Sequence, residues 1–595
     1  MTLSTQHIKT DFLVAGGGLA GVCAALAAAR NGLNVVLVQN RSVLGGNASS
    51  EIRMHIVGAD AHGQKPGARE TGIIEEIRLL DAAENPQRSA SVFDMLLYTL
   101  VAAESGITLL LDTDVVGTEV TTAADGSRHL VAAHAERQST EDAFVIEAKF
   151  FADCTGDGRL GVEAGADFTE GREARSEFDE PLARDERDPQ RLGSSMMFMA
   201  RDQGRPMPFK APAWARKFST EDFQGHRDVH SYEYGYWWFE WGGQLDTLKD
   251  DDCIRRECRA IALGVWDYVK NSGAHPDAAN WALDWVAPIT GKRESRRFLG
   301  PLVVTEHDVR RAETSADTVA YGGWPMDLHP PSGVDANPEP ACTQHWFPHL
   351  FSIPFGALHS RNVDNLLFAG RNMSATHVAF AATRVMGTCA VMGQAIGTAA
   401  AQLVGQGSAR CAEVDLPSLR RQLVRDDCFL PGYRNEDPLD LARQAVASAD
   451  GAAAPVETVL DGVTRDQRAV WGPWADEEKH AWQAAAPQGT LTLTWTQPVA
   501  LREIRIIFDS GLARELILSG SDKASAKTLR TPMPECVRHY RLRLDGELIA
   551  EVTDNLQRQC VHQLPEPRNV GKLTLECVVT HGGGAPRVFE IRAYG

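Results

Sequence analysis

Short apolar runs that end in glycine-rich turns recur along the first two thirds of the chain. Asp11–Ala15 (DFLVA) is apolar after its first residue, the pattern of a strand buried on both faces. Val22–Arg30 is rich in Ala and Leu and predicts a helix that Asn31-Gly32 ends; Asn34–Val38 (NVVLV) predicts a second strand. Phe150–Gly158 (FFADCTGDG) predicts a strand ending in a Thr-Gly turn, and Asn365–Asn372 (NLLFAGRN) one ending in Ala-Gly. Arg384–Gly397 predicts a long helix whose small residues face a neighbour, and Glu413–Leu430 one more helix and its exit. Pro431-Gly432 and Ala445–Pro455 (AVASADGAAAP) read as a small-residue linker. From about Val456 the period changes. Leu491–Trp495, Leu501–Phe508 and Arg587–Tyr594 predict short strands with frequent turns.

The turn between the first strand and helix is Gly16-Gly17-Gly18-Leu19-Ala20-Gly21, which places G-x-G-x-x-G at 16, 18 and 21. Gly16 permits the tight turn, Gly18 lets the backbone approach a pyrophosphate, and Gly21 lets helix and strand pack closely. The free N–H groups and positive dipole end of the helix then face the phosphates. This context, strand then loop then helix then strand, makes the motif a dinucleotide fingerprint. The second strand normally ends in an acidic residue that holds ribose hydroxyls; here Gln39-Asn40 stands there, followed by Arg41. Gln39 can still accept through its amide oxygen, but without charge.

Three blocks make the chain resemble the FAD-dependent oxidoreductases of the glutathione-reductase-like superfamily: Gly45–Ser49 (GGNAS), Gly291–Arg297 (GKRESRR) and Ala369–Ala379 (AGRNMSATHVA), the second continued by Leu299–Val309. The resemblance covers roughly residues 10–430. It implies bound FAD and an FAD unit split by a large insertion; the mode of attachment is not fixed by the sequence, and non-covalent binding is the expectation. It supplies no substrate. The cofactor set that follows is Gly16, Gly18, Leu19, Ala20 and Gly21; Gln39, Asn40 and Arg41; Gly45, Gly46, Asn47 and Ala48; Val115 and Val116; Thr155 and Gly156; and Gly370, Arg371 and Asn372. Gly387 and Thr388 complete it, as the helix start whose amides would face the flavin ring and stabilise charge on its reduced form. The region after Val456 resembles a discoidin-like (galactose-binding-like) jelly roll, on Val459–Arg465 (VLDGVTR), Asn555–Arg558 with His562, and the terminal Phe589–Tyr594 (FEIRAY).

The expected fold is therefore α/β: a Rossmann-like FAD-binding domain in two parts (1–165 and 356–435), an inserted α+β substrate domain (166–355), a linker (436–455) and a jelly-roll β-sandwich (456–595). Some such folds bind glycans at loop tips, and others only pack on the enzyme or form an oligomer contact.

Four residues are candidates for catalysis. In Glu51-Ile-Arg-Met-His55 a strand would put Glu51, Arg53 and His55 on one face. His55 could take a hydroxyl proton while hydride leaves for flavin N5, and Arg53 could clamp substrate or stabilise an anion. His377, just after the Ala-Gly-Arg-Asn turn, is a second candidate base or orienter. Arg293 is a candidate substrate or flavin contact, as is Arg296, whereas Lys292 and Arg297 read as a solvated loop. The aromatic run Tyr232–Trp241 alternates as a strand would, with core packing the main expectation and one side free to line a pocket. Cys253 and Cys258 fall in a helix-like stretch (250–270) and read as core packing. No metal site is expected: Pro348 spoils a helical His345/His349 pair.

Composition narrows the partners. With 43% hydrophobic and 23% charged residues among 595, the chain has the makeup of a globular protein with a sizeable core. Its net charge of −19 argues against nucleic acid or an anionic membrane. Eleven scattered Cys with no C-x-x-C pair suit reduced thiols in the cytoplasm, and no signal peptide or membrane span is read. The expected partner is a small-molecule substrate, a carbohydrate being one candidate, with a possible homo-oligomer and an unassigned electron acceptor. Three functions stay open: oxidation of a polar secondary alcohol such as a sugar or glycoside, fumarate-reductase-like C–C chemistry on a carboxylate, or glycan binding or assembly with a structural FAD.

Overall fold

The first strand, β1 (Ser4–Ala15), starts seven residues earlier than its apolar run because its polar half also pairs with the strand Asp142–Asp153. The computed structural model describes residues 4–124, 126–225 and 227–595. After β1 come α1 (Leu19–Arg30), β2 (Val35–Val38), α2 (Ile73–Glu84), α3 (Ala90–Ala103), β3 (Ile107–Leu110), β4 (Thr113–Thr122), β5 (Arg128–Arg137) and β6 (Asp142–Asp153). They form one sheet in the order β3-β2-β1-β6-β5-β4, which β7 (Leu366–Phe368) joins by running parallel to the end of β6. The β3-β2-β1-β6 part is parallel and its inner positions are buried, as apolar runs without alternation require.

The chain returns to this sheet through α5 (His377–Thr383) and α6 (Met386–Gln406). α6 lies against α1 so closely that a Cβ at Gly393 would sit 2.0 Å from the Ala20 carbonyl oxygen, and one at Gly397 2.2 Å from that of Ala24. The small residues of both helices therefore serve backbone approach. Gly21 acts likewise within the first βα unit, where a Cβ would lie 1.8 Å from the Gly16 oxygen.

Between β6 and β7 the chain forms several short ladders and one long helix, α4 (Asp251–Asn271). Phe198–Asp202 pairs with Trp281–Val286, and Ser194–Ser195 pairs with Glu240–Trp241 and Gly291–Lys292. The expected aromatic strand is not formed: only its last two residues are strand. Tyr236, Trp238 and Phe239 are buried together with Trp266, so the core role of this run holds. Of the two cysteines in α4, Cys258 is buried and Cys253 exposed.

The C-terminal region is a separate antiparallel sheet of β8 (Val446–Ala449), β9 (Trp482–Gln483), β10 (Gly489–Phe508), β11 (Val537–Leu544), β12 (Glu547–Val552), β13 (Gln559–Thr580) and β14 (Arg587–Tyr594). Its long strands β10 and β13 bend at register shifts, consistent with a β-sandwich. β8 lies inside the stretch read as linker. It pairs with β10 and so belongs to this sheet. Among the described residues, no helix is long and apolar enough to cross a membrane.

Candidate active site

Two cavities meet at the C-terminal ends of the parallel strands. The first is a cleft of about 550 Å³, and the second, of about 350 Å³, lies next to it. Asn47, Lys292, Arg371, Arg384 and Met386 line both.

The cleft is built from the glycine loop. Gly16 has φ 102°, and a Cβ there would meet the Cys154 carbonyl oxygen at 2.4 Å, so only glycine fits the turn. Gly18 caps α1 without a side-chain hydrogen bond, and Leu19 and Ala20 line the cleft at the helix start. Gly46 stands so near Gly18 that its Cβ would lie 3.1 Å from the Gly18 Cα. This side-chain-free cradle at a helix N-terminus fits the pyrophosphate of a dinucleotide.

Of the expected cofactor residues, Gly16, Gly18, Leu19, Ala20, Gln39, Asn40, Arg41, Gly45, Gly46, Asn47, Val115, Thr155, Gly156, Gly370 and Arg371 line the cleft. Gln39 does so with both amide ends engaged: Gly17 N–H donates to its Oε1 (2.8 Å), and its Nε2 donates to the Val43 carbonyl (3.1 Å). It holds the glycine loop closed, and its oxygen accepts one hydrogen bond in doing so. The other expected positions lie off the cleft. Gly21 and Ala48 are behind it, and Val116 is exposed. Asn372 ties β7 to β6 through Asp153, donating to its carbonyl (3.1 Å) and its Oδ1 (3.0 Å). At the start of α6, the Gly387 N–H is taken by the Val57 carbonyl (2.9 Å), and Thr388 is buried.

Asp157 organises the cationic rim. Its carboxylate meets Lys292 Nζ (3.2 Å) and Arg371 Nη2 (3.3 Å) and accepts from Ser295 Oγ (2.8 Å). Burial works against its charge, but Arg371 and Lys292 hold its pKa below the usual range.

The second cavity is lined by residues of several segments: His55, Val57 and His62; Trp237; Arg293; Trp324, Asp327 and His329; Cys342 and Gln344; and Arg384 and Val385. His329 bridges two buried carboxylates, Glu240 (2.6 Å) and Asp327 (3.1 Å). Arg384 Nη2 donates to Asp327 Oδ2 (3.0 Å), and Arg293 Nη1 lies 3.4 Å from Glu240. Burial opposes the charge on His329, but Glu240 and Asp327 raise its pKa. Asp327, His329 and Cys342 offer three metal-ligand atoms within 4.8 Å of one another. Arg384 already neutralises that cluster, and burial pushes the Cys342 thiol up to about 12, so we read it as an ion-pair network.

The four expected catalytic residues separate. His55 lines the second cavity; burial, with His62 adding to it, lowers its pKa to about 4, and its Nδ1 has no partner. Arg293 also lines it, with its guanidinium tied to Ser195 Oγ (2.7 Å) and the Trp237 carbonyl (2.9 Å). Arg53 does not. The segment 51–55 is a turn and loop rather than a strand, with Arg53 at φ 63°, so the three polar side chains share no face. Arg53 stacks on Trp285 (4.1 Å) and donates from Nε to the Ser50 carbonyl (3.2 Å). His377 lines neither cavity. Its Nδ1 lies 3.0 Å from Glu294, inside a buried network in which Arg297 also pairs with Glu294 and, at 2.6 Å, with Glu173. Arg297 is thus fully buried, and Lys292 lines both cavities, so neither belongs to a solvated loop. Arg296 lines the cleft, with its guanidinium 5.5 Å from the Phe168 ring.

Trp324, Asp327, His329 and Glu240 were not singled out from the sequence. They lie outside the three motif blocks, and their only local signal is the Asp-x-His spacing of Asp327 and His329.

The model of the family described as FAD dependent oxidoreductase matches residues 11–423. No curated protein matches. Among solved structures, a geranylgeranyl bacteriochlorophyll reductase-like protein from Thermoplasma acidophilum is similar at 12% identity, over 71% of this chain and 85% of that one, with a TM-score of 0.33. Chitosan-binding module 1 of a chitosanase/glucanase from Paenibacillus sp. IK-5 is similar at 9% identity, over 26% of this chain and 98% of that one, with a TM-score of 0.19.

Proposed function

This chain belongs to the FAD dependent oxidoreductase family, and on that premise we propose that it is an enzyme that oxidises a polar secondary alcohol, a sugar or glycoside being the best fit, in the second cavity. FAD, held in the cleft by Gly16, Gly18, Gly46 and Arg371, would supply the two-electron, hydride-accepting chemistry that this oxidation needs.

One observation carries the choice of substrate chemistry. His55 Nδ1, Trp324 Nε1, Asp327 Oδ1 and Arg384 Nε are buried without a hydrogen-bond partner, and all four belong to residues lining this one cavity. An unmatched buried polar atom costs about 1–3 kcal/mol, so four together call for a ligand that offers both donors and acceptors. A polyol does so, and Trp237 and Trp324 add aromatic wall against which a sugar face packs. The volume lies within the range of small-molecule pockets, about 300–1,000 Å³.

In this reading His55, neutral and with Nδ1 free, accepts the hydroxyl proton. Asp327 Oδ1 accepts from a neighbouring hydroxyl, and Trp324 Nε1 and Arg384 Nε donate to substrate oxygens. Arg293 acts by fixing Ser195 and the Trp237 backbone, and His377 by holding Glu294. Residues 166–355 serve as the substrate-binding insertion, since Trp237, Arg293, Trp324, Asp327 and His329 come from it.

A carboxylate substrate fits less well because the local cations are already matched. Arg384 meets Asp327, Arg293 meets Glu240, and Lys292 and Arg371 share Asp157. The test is anaerobic bleaching of the flavin absorbance by a panel of polyols, glycosides and dicarboxylates. Bleaching by a polyol or glycoside supports the reading; bleaching by dicarboxylates alone overturns it in favour of C–C chemistry.

A further inference from the structure

His62 stands on a turn in which Ala61 (φ 48°), His62 (φ 57°) and Gly63 (φ 76°) are all left-handed. Non-glycine residues stay in that region only where tertiary contacts hold them. Here the contacts come from both ends of the chain. The His62 ring meets Trp324 edge-on at 5.2 Å and His55 edge-on at 5.9 Å. Its Nδ1 lies 2.6 Å from Glu515 Oε1. Glu515 follows β10, in the C-terminal region beyond the family match.

That segment is firmly seated. The buried Arg69 donates to the carbonyls of Ser510 (3.4 Å), Gly511 (3.3 Å) and Arg514. Further on, Gly520 packs against Tyr234 and Met199 so tightly that a Cβ would come within 2.7 and 2.8 Å of them. The C-terminal region thus stands behind His62, which lines the second cavity.

His55 is half-buried, but its Nδ1 is shut from solvent and unpartnered, so a proton taken up there needs a neighbouring group to carry it to water. The His62 side chain is 42% exposed and is the ring beside it. We propose that Glu515 is a positioning residue for the oxidation: it accepts the His62 Nδ1 hydrogen, fixes the tautomer with Nε2 free, and so makes His62 the outlet for the proton taken up by His55. The balance is simple. The substrate O–H bond breaks and its proton goes to His55 Nδ1; the proton then passes, through a bridging water, to His62 Nε2, while the Glu515 carboxylate holds the Nδ1 hydrogen, and on to solvent. No electrons move along this path. The outlet rests on the reading of His55 as base; the Glu515–His62 contact does not.

The experiment uses the full-length FAD-loaded protein and Glu515→Leu, which removes the acceptor that Glu515→Gln would retain. Diethylpyrocarbonate labelling of His62 at about pH 8.5, where an imidazole ring is neutral, followed by peptide mass spectrometry, reads Nε2 nucleophilicity without any substrate. A several-fold slower labelling in Glu515→Leu is expected, and an unchanged or faster rate overturns the tautomer assignment. Stopped-flow flavin reduction by the alcohol that bleaches wild type should fall about tenfold with unchanged substrate affinity and a larger solvent isotope effect. Slower labelling with an unchanged reduction rate overturns the proton outlet and leaves a structural contact. If no alcohol bleaches the flavin, the proposed substrate class and the outlet fall together, and labelling still decides the contact.

Discussion

Glu240 Oε2 lies 2.6 Å from His329 Nδ1, behind the wall of the second cavity. Burial alone would push the ring pKa down, and Glu240 and Asp327 outweigh it. Burial would likewise raise Glu240, but Arg293 and His329 bring it down to about 2. A raised histidine contributes stability in full below its unfolded pKa of about 6.5 and loses it as pH rises through the folded value. The depressed carboxylate contributes above about pH 4.5 and loses its share as pH falls toward 2. Glu240→Gln should therefore lower unfolding stability at pH 6 by about 3–5 kcal/mol, because it leaves a buried imidazolium with one carboxylate. The alkaline decline in Tm should also begin at lower pH than in wild type. Thermal denaturation between pH 5 and 9 checks both.

His55→Gln should slow flavin reduction by about 10²–10⁴, the usual range for loss of a positioned general base, while leaving the flavin spectrum intact, since His55 does not line the cleft. The wild-type ring stays neutral down to about pH 4 because burial disfavours its charge. Its depressed pKa means that protonation costs stability as pH falls from about 6.5 toward 4, whereas between pH 5 and 8 this group leaves the reduction rate flat. Anaerobic stopped-flow across that range is the measurement, and an acidic limb near pH 6.5 would point to a different base.

Gly21→Ala and Gly32→Ala should part company. A Cβ at Gly21 would lie 1.8 Å from the Gly16 oxygen and must displace the glycine loop, so the protein should purify with well under one FAD per chain. Gly32 has φ 93°, but a Cβ there would meet no atom within 4 Å, so alanine costs only backbone strain, about 1 kcal/mol, with full flavin content. The ratio of flavin to protein absorbance decides it.

How much of this was legible depends on range. The glycine loop, β1, α1 and β2 were readable because strand, turn and helix signals follow one another within thirty residues. Arg53 and His55 were misaligned because a left-handed residue leaves no mark on a periodicity count, and one such residue sends the two side chains to different places. His377 and Arg297 looked functional or solvated as isolated charges. Only the fold brings Glu173 and Glu294 to them. Asp327, His329 and Glu240 form the largest ionic cluster at the second cavity, yet Glu240 and His329 are 89 residues apart, and spacing at that range carries no signal. The stretch 445–455 read as linker because Ala, Ser and Gly predominate, but backbone pairing to β10 needs no large side chain, and Val446–Ala449 became β8.

The flavin should leave the protein on acid precipitation, with the colour in the supernatant. Cys154 and Cys389 are the thiols of the cleft, and burial holds both up, Cys389 to about 12, so neither is a thiolate at neutral pH. Cys389 also directs its Sγ to the Arg384 carbonyl (3.4 Å). Flavin fluorescence remaining in the pellet would overturn this expectation.

Arg465→Met tests whether the C-terminal region is an appendage or part of one folding unit. Arg465 is buried, although it stands at the start of that region, and its acceptors belong to the FAD-binding part. Its Nη1 donates to the carbonyls of Gly67 (3.0 Å) and Arg69 (3.1 Å), and its Nη2 to Thr71 Oγ1 (3.1 Å). The guanidinium also lies 4.0 Å from the centre of the Phe429 ring. Arg69, whose carbonyl it holds, reaches back to the turn before Glu515, so the two arginines interlock the regions. Methionine keeps much of the volume but leaves two carbonyls unmatched, at about 1–3 kcal/mol each. If the regions fold as one, Arg465→Met lowers a single cooperative transition, and both flavin release and loss of β-sheet signal move with it. Two separated transitions, with flavin release unshifted, would show the C-terminal sheet to be an independent domain. Calorimetry together with flavin fluorescence on the full-length protein distinguishes the two.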